Sequence, residues 1–354
     1  MIRVIIVDDS SFMRNALVDL LEKDPDIKVV AAARDGQEAL QKAKEMDADV
    51  MTLDVEMPRL DGLATLQQLM KTTPMPVLMV SSLTESGAES TLKAMEYGAL
   101  DFILKTINND IGAFGSDLRR KVKALARKKA ITRLHYQRLK LAQMPVRPTH
   151  VTQPPHTAHT PCRGARDLVV IGVSTGGPPV VQKILSALPT DLQACILVAQ
   201  HMPAMFTGPF AKRLDNASRI SVSEAVDGDK LKRGHAYICP GGKHIGIRMR
   251  SSLPEVAITE EPRDALYKPT VNVLMETAGK SMGNRVLGVM LTGMGYDGCE
   301  GAKVLKEKGG YLIAQSEESC VVYGMPKAVV DEGLANQILD ADDIAQAIVT
   351  TVRG

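Results

Sequence analysis

Three short hydrophobic runs in the second half of the chain each end in a polar residue suited to acyl transfer. Leu168–Val173 runs into Ser174-Thr175-Gly176-Gly177, Cys195–Ala199 into Gln200-His201, and Val286–Leu291 into Thr292-Gly293-Met294-Gly295-Tyr296-Asp297. If the runs are neighbouring parallel strands, a hydroxyl, an imidazole and a carboxylate converge at one sheet edge. Open α/β sheets place their sites at that carboxyl edge, and nucleophilic hydrolysis needs that trio of groups. Singly, each has a plainer reading: Ser174 and Asp297 as helix caps, His201 as an ordinary surface or core histidine. Together they form a candidate Ser174, His201, Asp297 triad. The glycines permit a tight strand-to-helix turn, and a helix N-terminus there favours a developing oxyanion. The run Gly172 to Gly177 lacks both a Gly-x-Gly-x-x-Gly fingerprint and a Gly-Lys-Ser/Thr, so it fits a nucleotide site poorly.

A second set of reactive residues occupies the first half. Asp8 and Asp9 follow the run Val4–Val7, Asp54 follows Val50–Leu53, Ser81 and Ser82 follow Val77–Val80, and Lys105 follows Phe102–Leu104. Three carboxylates at one edge repel each other and favour a hard dication such as Mg²⁺. A carboxylate beside such a cation, with a hydroxyl and an ammonium near, can accept a phosphoryl group.

The elements that must position these groups follow from periodicity. Residues 1–107 alternate strand runs with helical spacings such as Met13, Leu17, Leu20 and Leu63, Leu66, Leu69, Met70, which implies a doubly wound parallel sheet. Residues 167–352 alternate again, with more irregular β structure in the middle. The expected organisation is a domain over 1–125, a basic and Pro-rich linker over 126–166 and a second α/β domain over 167–354. The pattern predicts one long basic helix over 111–142. Between 111 and 166 stand thirteen Lys or Arg against one acidic residue, Asp117, which reads as a solvated face rather than a nucleic-acid surface. The linker histidines His150, His156 and His159 lack metal-site spacing.

A length of 354 residues fits two domains, and a net charge of +2 argues for no particular partner. Aromatics make up only 3% and Trp is absent, so the cores must be aliphatic and Met-rich. The five scattered cysteines read as reduced thiols of a cytoplasmic protein. No apolar stretch is long enough to insert in a membrane.

Two resemblances sharpen these expectations. Val7-Asp8-Asp9-Ser10, Leu53-Asp54-Val55-Glu56-Met57-Pro58 with Asp61-Gly62, Val80-Ser81 and Lys105 resemble a two-component receiver of flavodoxin-like (βα)5 fold. The resemblance implies Asp54 as phospho-acceptor, with Mg²⁺ held by Asp8, Asp9, Asp54 and the Glu56 backbone carbonyl. It implies a receiver switch of Ser81 as the hydroxyl, Phe102 as the aromatic and Lys105. The chain departs at Thr106, where receivers usually carry Pro. His201-Met202-Pro203, Thr292 to Gly298, Tyr237-Ile238-Cys239-Pro240-Gly241 and Gly324-Met325-Pro326 resemble the CheB protein-glutamate methylesterase family. That implies a doubly wound, mainly parallel catalytic domain with Ser174 as nucleophile, His201 as base and acid, and Asp297 as orienting carboxylate. Met294 would give an oxyanion N–H, and Thr175 would support the site. Tyr267-Lys268-Pro269-Thr270-Val271-Asn272 departs from the family's His-Arg-Pro-Ser-Val-Asp. The stretch is expected to line the cleft and alter substrate preference.

The resemblance further implies chemoreceptor cytoplasmic domains as substrate, a chemotaxis histidine kinase as phosphodonor, and a receiver that restricts the catalytic edge until phosphorylated. No cofactor is expected for hydrolysis, and no nucleic-acid partner. The alternatives are glutamine deamidation as the main activity, an esterase of a non-chemotaxis array, a non-enzymatic regulator, and a DNA-binding regulator suggested only by the basic connector.

Overall fold

The structure is a computed structural model, which describes residues 1–82, 84–105, 110–127 and 166–353. The chain divides into two compact units, Met1–Pro155 and His156–Gly354. Thr106, the linker histidines and most of the residues expected to extend the basic helix lie outside the described residues.

The first unit builds β1 (Ile2–Val7), α1 (Ser11–Leu21), β2 (Ile27–Ala33), α2 (Gly36–Glu45), β3 (Val50–Asp54), α3 (Gly62–Thr72), β4 (Val77–Ser81), α4 (Glu85–Glu96), β5 (Asp101–Leu104) and α5 (Ile111–Ala126). Its strands pair in parallel in the order β2-β1-β3-β4-β5, the flavodoxin-like order. Strands β3 and β4 are buried at every position, as continuous apolar runs covered on both faces require. Met51, Met70, Met75 and Met79 are all but fully buried, which replaces the missing aromatic volume with flexible thioethers. Each helix takes its N-cap from Ser10, Asp35, Asp61, Thr84 or Asp110. Capping therefore falls to other side chains than Asp8, Asp9 and Asp54.

The second unit builds β6 (Leu168–Val173), α6 (Gly177–Ala187), β7 (Cys195–Gln200), α7 (Ala204–Ala217), β8 (Ser221–Glu224), β9 (His235–Ile238), β10 (His244–Arg250), β11 (Leu253–Thr259), α8 (Val271–Met282), β12 (Val286–Met290), α9 (Cys299–Glu307), β13 (Tyr311–Gln315), α10 (Met325–Asp331), β14 (Gln337–Leu339) and α11 (Ala341–Arg353). Seven strands form one sheet in the order β14-β13-β12-β6-β7-β9-β8, with every described pairing parallel. The irregular middle resolves into the edge pair β8 and β9 and a separate antiparallel hairpin, β10 with β11. Leu168, Val170, Leu197, Leu274, Met275 and Leu312 belong to the core under α8. Each fully buried side chain of this size contributes roughly 1.5–3 kcal/mol.

Strand order fixes the position of the site. The chain leaves β6 toward β7 on one side and later returns to β12 on the other. The switch point lies beside β6, where such sheets open a crevice at their carboxyl ends.

Candidate active site

Ser174 follows β6, His201 follows β7, and Asp297 closes the loop after β12. The turn after β6 needs its glycines for different reasons. Gly176 adopts φ +75°, a region costly for L side chains. Gly177 packs so closely that a Cβ would stand 2.4 Å from Oε1 of Gln200. Helix α6 begins at Gly177 with Gly176 as N-cap and no side-chain cap, so Ser174 is not spent on capping. Asp297 does not cap the helix that follows it either, since Gly298 is the N-cap of α9.

The three groups meet. Ser174 Oγ lies 3.0 Å from Nδ1 of His201, and His201 Nε2 lies 2.7 Å from Oδ2 of Asp297. A carboxylate can only accept, so Nε2 carries the proton and Nδ1 is free to accept from the serine. The imidazole is reversed relative to the triad in which Nε2 faces the serine, an orientation that residue order alone does not encode.

Asp297 sits on the N-terminus of α8. Its carboxylate accepts from Thr270 Oγ1 at 2.5 Å and from the N–H groups of Val271 at 2.7 Å and Asn272 at 3.3 Å. Burial alone would raise its pKa; the bonds from His201, Thr270 and Val271 outweigh burial and hold it below the usual carboxylate range. Thr270 is held in turn by the fully buried His244, whose Nδ1 accepts from the Thr270 N–H at 3.0 Å while Nε2–H donates to the Pro262 carbonyl at 3.2 Å. Burial pushes the His244 imidazole below its ordinary pKa. Asn272 accepts from the N–H groups of Gly298 at 3.1 Å and Gly301 at 2.9 Å, pinning the loop that carries Asp297. The stretch 267–272 was expected to line the cleft. Thr270 and Asn272 instead support the carboxylate, and the Tyr267 ring stacks on His201.

The Ser174 backbone is fixed from both sides. Gln200, 2% exposed, donates through Nε2 to the carbonyls of Ser174 at 3.0 Å and His201 at 3.2 Å. Thr292 accepts the Ser174 N–H at its own carbonyl at 3.0 Å and donates its hydroxyl to the carbonyl of buried Thr175 at 2.9 Å. Gly293 abuts the serine, since a Cβ there would lie 2.9 Å from the Ser174 Cβ. Among the described residues no acceptor engages the N–H of the next residue, Met294. The bridging role of Gln200 and the support from His244 escaped the sequence reading, and Thr270 and Asn272 were singled out there only as part of a stretch expected to line the cleft. For Gln200 a signal existed, a lone amide ending an otherwise apolar strand; for the others the partners lie too far along the chain.

The first unit assembles its own site at its switch point, between β1 and β3. Carboxylate oxygens of Asp8, Asp9 and Asp54 lie within 4.8 Å of one another. Asp8 and Asp54 are buried and Asp9 is exposed. The Lys105 ammonium reaches Asp8 at 2.9 Å and Asp54 at 2.7 Å. Burial pushes the Asp54 pKa up to about 6 against the pull of Lys105. Burial opposes the charge on Lys105, and its two ion pairs prevail and raise its pKa. An oxygen-only donor set with one solvent-facing member fits a hard dication. The Glu56 N–H approaches Asp54 at 3.4 Å, and its carboxylate accepts from Ser82 and Ser86. Ser81, fully buried, donates toward the carbonyls of Ser82 at 3.3 Å and Gly87 at 3.4 Å and accepts from Thr91 at 2.9 Å. Phe102 is 7% exposed.

Comparison with known proteins places both sites in a context. Residues 169–348 match the CheB methylesterase family and residues 4–111 the response regulator receiver domain. The chain is 57% identical to "Protein-glutamate methylesterase/protein-glutamine glutaminase 2" of Nitratidesulfovibrio vulgaris, over 99% of each chain. It is 51% identical to the similarly named protein of Lawsonia intracellularis, again over 99% of each. The crystal structure of the Thermotoga maritima CheB methylesterase catalytic domain superposes with a TM-score of 0.51 at 38% identity, covering 53% of this chain and 99% of that one.

Proposed function

The chain belongs to the CheB methylesterase family, with a receiver domain ahead of the hydrolase, and we propose from that premise that it is a phosphorylation-controlled protein-glutamate methylesterase and protein-glutamine glutaminase of chemotaxis adaptation. The observation that carries this reading is the unbroken line Ser174, His201, Asp297, with contacts of 3.0 and 2.7 Å.

The chemistry follows from the geometry. His201 Nδ1 takes the Ser174 proton as Oγ attacks the side-chain ester carbonyl of a methylated glutamate. The imidazolium keeps Nε2–H on Asp297, whose charge is secured by the α8 N-terminus. Negative charge develops on the carbonyl oxygen, where the Met294 N–H can donate; such a donor contributes on the order of 3 kcal/mol to the transition state. His201 returns the proton to the departing methoxide oxygen and methanol leaves. Water, deprotonated by His201, then cleaves the acyl-serine and frees glutamate. A primary amide follows the same path with ammonia as leaving group.

In the receiver, Asp54 is the phospho-acceptor and Lys105 the cation that steadies the transferring oxygens. Asp8, Asp9 and Asp54, with the Glu56 carbonyl, would hold Mg²⁺, which neutralises phosphoryl charge. Ser81 and Phe102 form the switch. The substrates are chemoreceptor cytoplasmic domains and the phosphodonor is a chemotaxis histidine kinase. Domains are assigned as 1–125, 126–166 and 167–354. No described helix is long and apolar enough to cross a membrane, and the four described cysteines are buried thiols, which supports a cytoplasmic setting.

The test is product release from a methylated receptor fragment. Methanol from ester sites and ammonia from glutamine sites are both expected, and Ser174→Ala should remove both while the protein stays folded. Turnover retained in that variant would sink the assignment.

A further inference from the structure

The ring of Tyr267 lies flat on the imidazole of His201, with centroids 4.3 Å apart and planes 14° from parallel. Hydrogen bonds to Ser174 and Asp297 fix the two ring nitrogens, and therefore the line through them. Neither bond resists tilt of the ring about that line, because tilting moves neither nitrogen. A flat neighbour on one face does resist it. The contact also changes character during the reaction, since the imidazole gains a proton and a cation over a tyrosine face is attracted to the ring's quadrupole. Tyr267 is half-buried, and its hydroxyl lies 3.8 Å from where a Cβ on Gly295 would sit. The ring thus spans from the base to the turn that carries the Met294 N–H.

We propose that Tyr267 is a positioning residue for this reaction: its ring sets the tilt at which His201 presents Nδ1 to Ser174, and stabilises the imidazolium formed there. The inference rests on the reading of Ser174, His201 and Asp297 as the catalytic groups. It is distinct from a role as a wall of the substrate cleft, which would act on binding. The phenol oxygen is not required, because both effects belong to the ring face.

The test is steady-state hydrolysis of a peptide bearing a glutamate γ-methyl ester by the full chain with a phosphodonor. Four proteins are compared: the unaltered chain, Tyr267→Phe, Tyr267→Leu and Ser174→Ala. Tyr267→Phe is expected to keep kcat and KM within about twofold. Tyr267→Leu is expected to lose about tenfold in kcat, which is about 1.4 kcal/mol of activation free energy, with KM within about twofold. An unchanged kcat in Tyr267→Leu, a change confined to KM, or a Tyr267→Phe as impaired as Tyr267→Leu overturns the proposal. Should Tyr267→Leu not fold, Tyr267→Met, also without a ring, is judged by the same criteria. Activity in Ser174→Ala refutes the catalytic reading itself. Loss there with full kcat in Tyr267→Leu refutes the positioning role alone.

Discussion

His201 turns Nδ1 toward Ser174 and Nε2 toward Asp297, and its orientation is set by what surrounds Asp297. That carboxylate accepts two N–H groups and a hydroxyl from the start of α8 besides the imidazole. Asp297→Asn leaves one acceptor oxygen of the two, turns the other into a donor facing N–H groups, and removes the charge that stabilises the imidazolium. We expect kcat to fall by about 10³–10⁴-fold, the scale seen when such a carboxylate is neutralised, with KM little changed; a loss under tenfold in steady-state kinetics would argue that the imidazolium is stabilised elsewhere. His244 gives a prediction in pH. Its folded pKa lies below its ordinary value because of burial, so the unfolded chain binds a proton that the folded chain refuses. Its contribution to stability is therefore intact above about pH 6.5 and declines as pH falls below that value. In denaturant titrations of the second unit's transition, His244→Gln should flatten the loss below about pH 6.5. His235, also lowered by burial, leaves a residual slope. An unchanged slope in His244→Gln would place the titrating group elsewhere.

At the scale of elements, the strands that carry chemistry were legible in the sequence because both their faces are covered. Leu168–Val173 and Cys195–Gln200 are buried at every position, so each reads as an apolar run with its functional residue at the end. The order of Ser174, His201 and Asp297 around β6 also followed once the strands were taken as neighbours. The segment 267–272 was not legible in the same way. Its side chains serve partners brought near only by the packing of α8 beside α9, with Thr270 and Asp297 separated by 27 residues. Strands β8 and β9 were blurred because they are four residues each and half-exposed in part, which weakens any periodic signal. The junction of β6, α6 and β7 yields its own prediction. Gly177→Ala would drive a Cβ to 2.3 Å from the Val173 Cγ2 and 2.4 Å from the Gln200 Oε1. It should cost about 1–3 kcal/mol and displace the amide that bridges Ser174 and His201. Calorimetry should show the second unit's transition lowered and the first unit's unmoved; an unshifted second transition would mean that the turn can relax.

For the whole molecule, two sheets of different order each place a reactive cluster at their switch point, one acidic and one nucleophilic. The receiver's cluster holds a carboxylate, Asp54, whose charge is opposed by burial and supported by Lys105. Asp54→Asn should leave basal hydrolysis intact and abolish stimulation by a phosphodonor, and Lys105→Ala should weaken stimulation without altering the basal rate. The proposed function joins the two clusters into one regulated serine esterase. The measurement that tests it most directly is the initial rate of methanol release from methylated receptor by the full chain, with and without a small phosphodonor and Mg²⁺, beside Ser174→Ala and Asp54→Asn. The rate should rise on phosphorylation in the unaltered chain, stay at the basal level in Asp54→Asn and vanish in Ser174→Ala under both conditions. Methanol release that persists in Ser174→Ala, or a phosphodonor response that survives in Asp54→Asn, would contradict it.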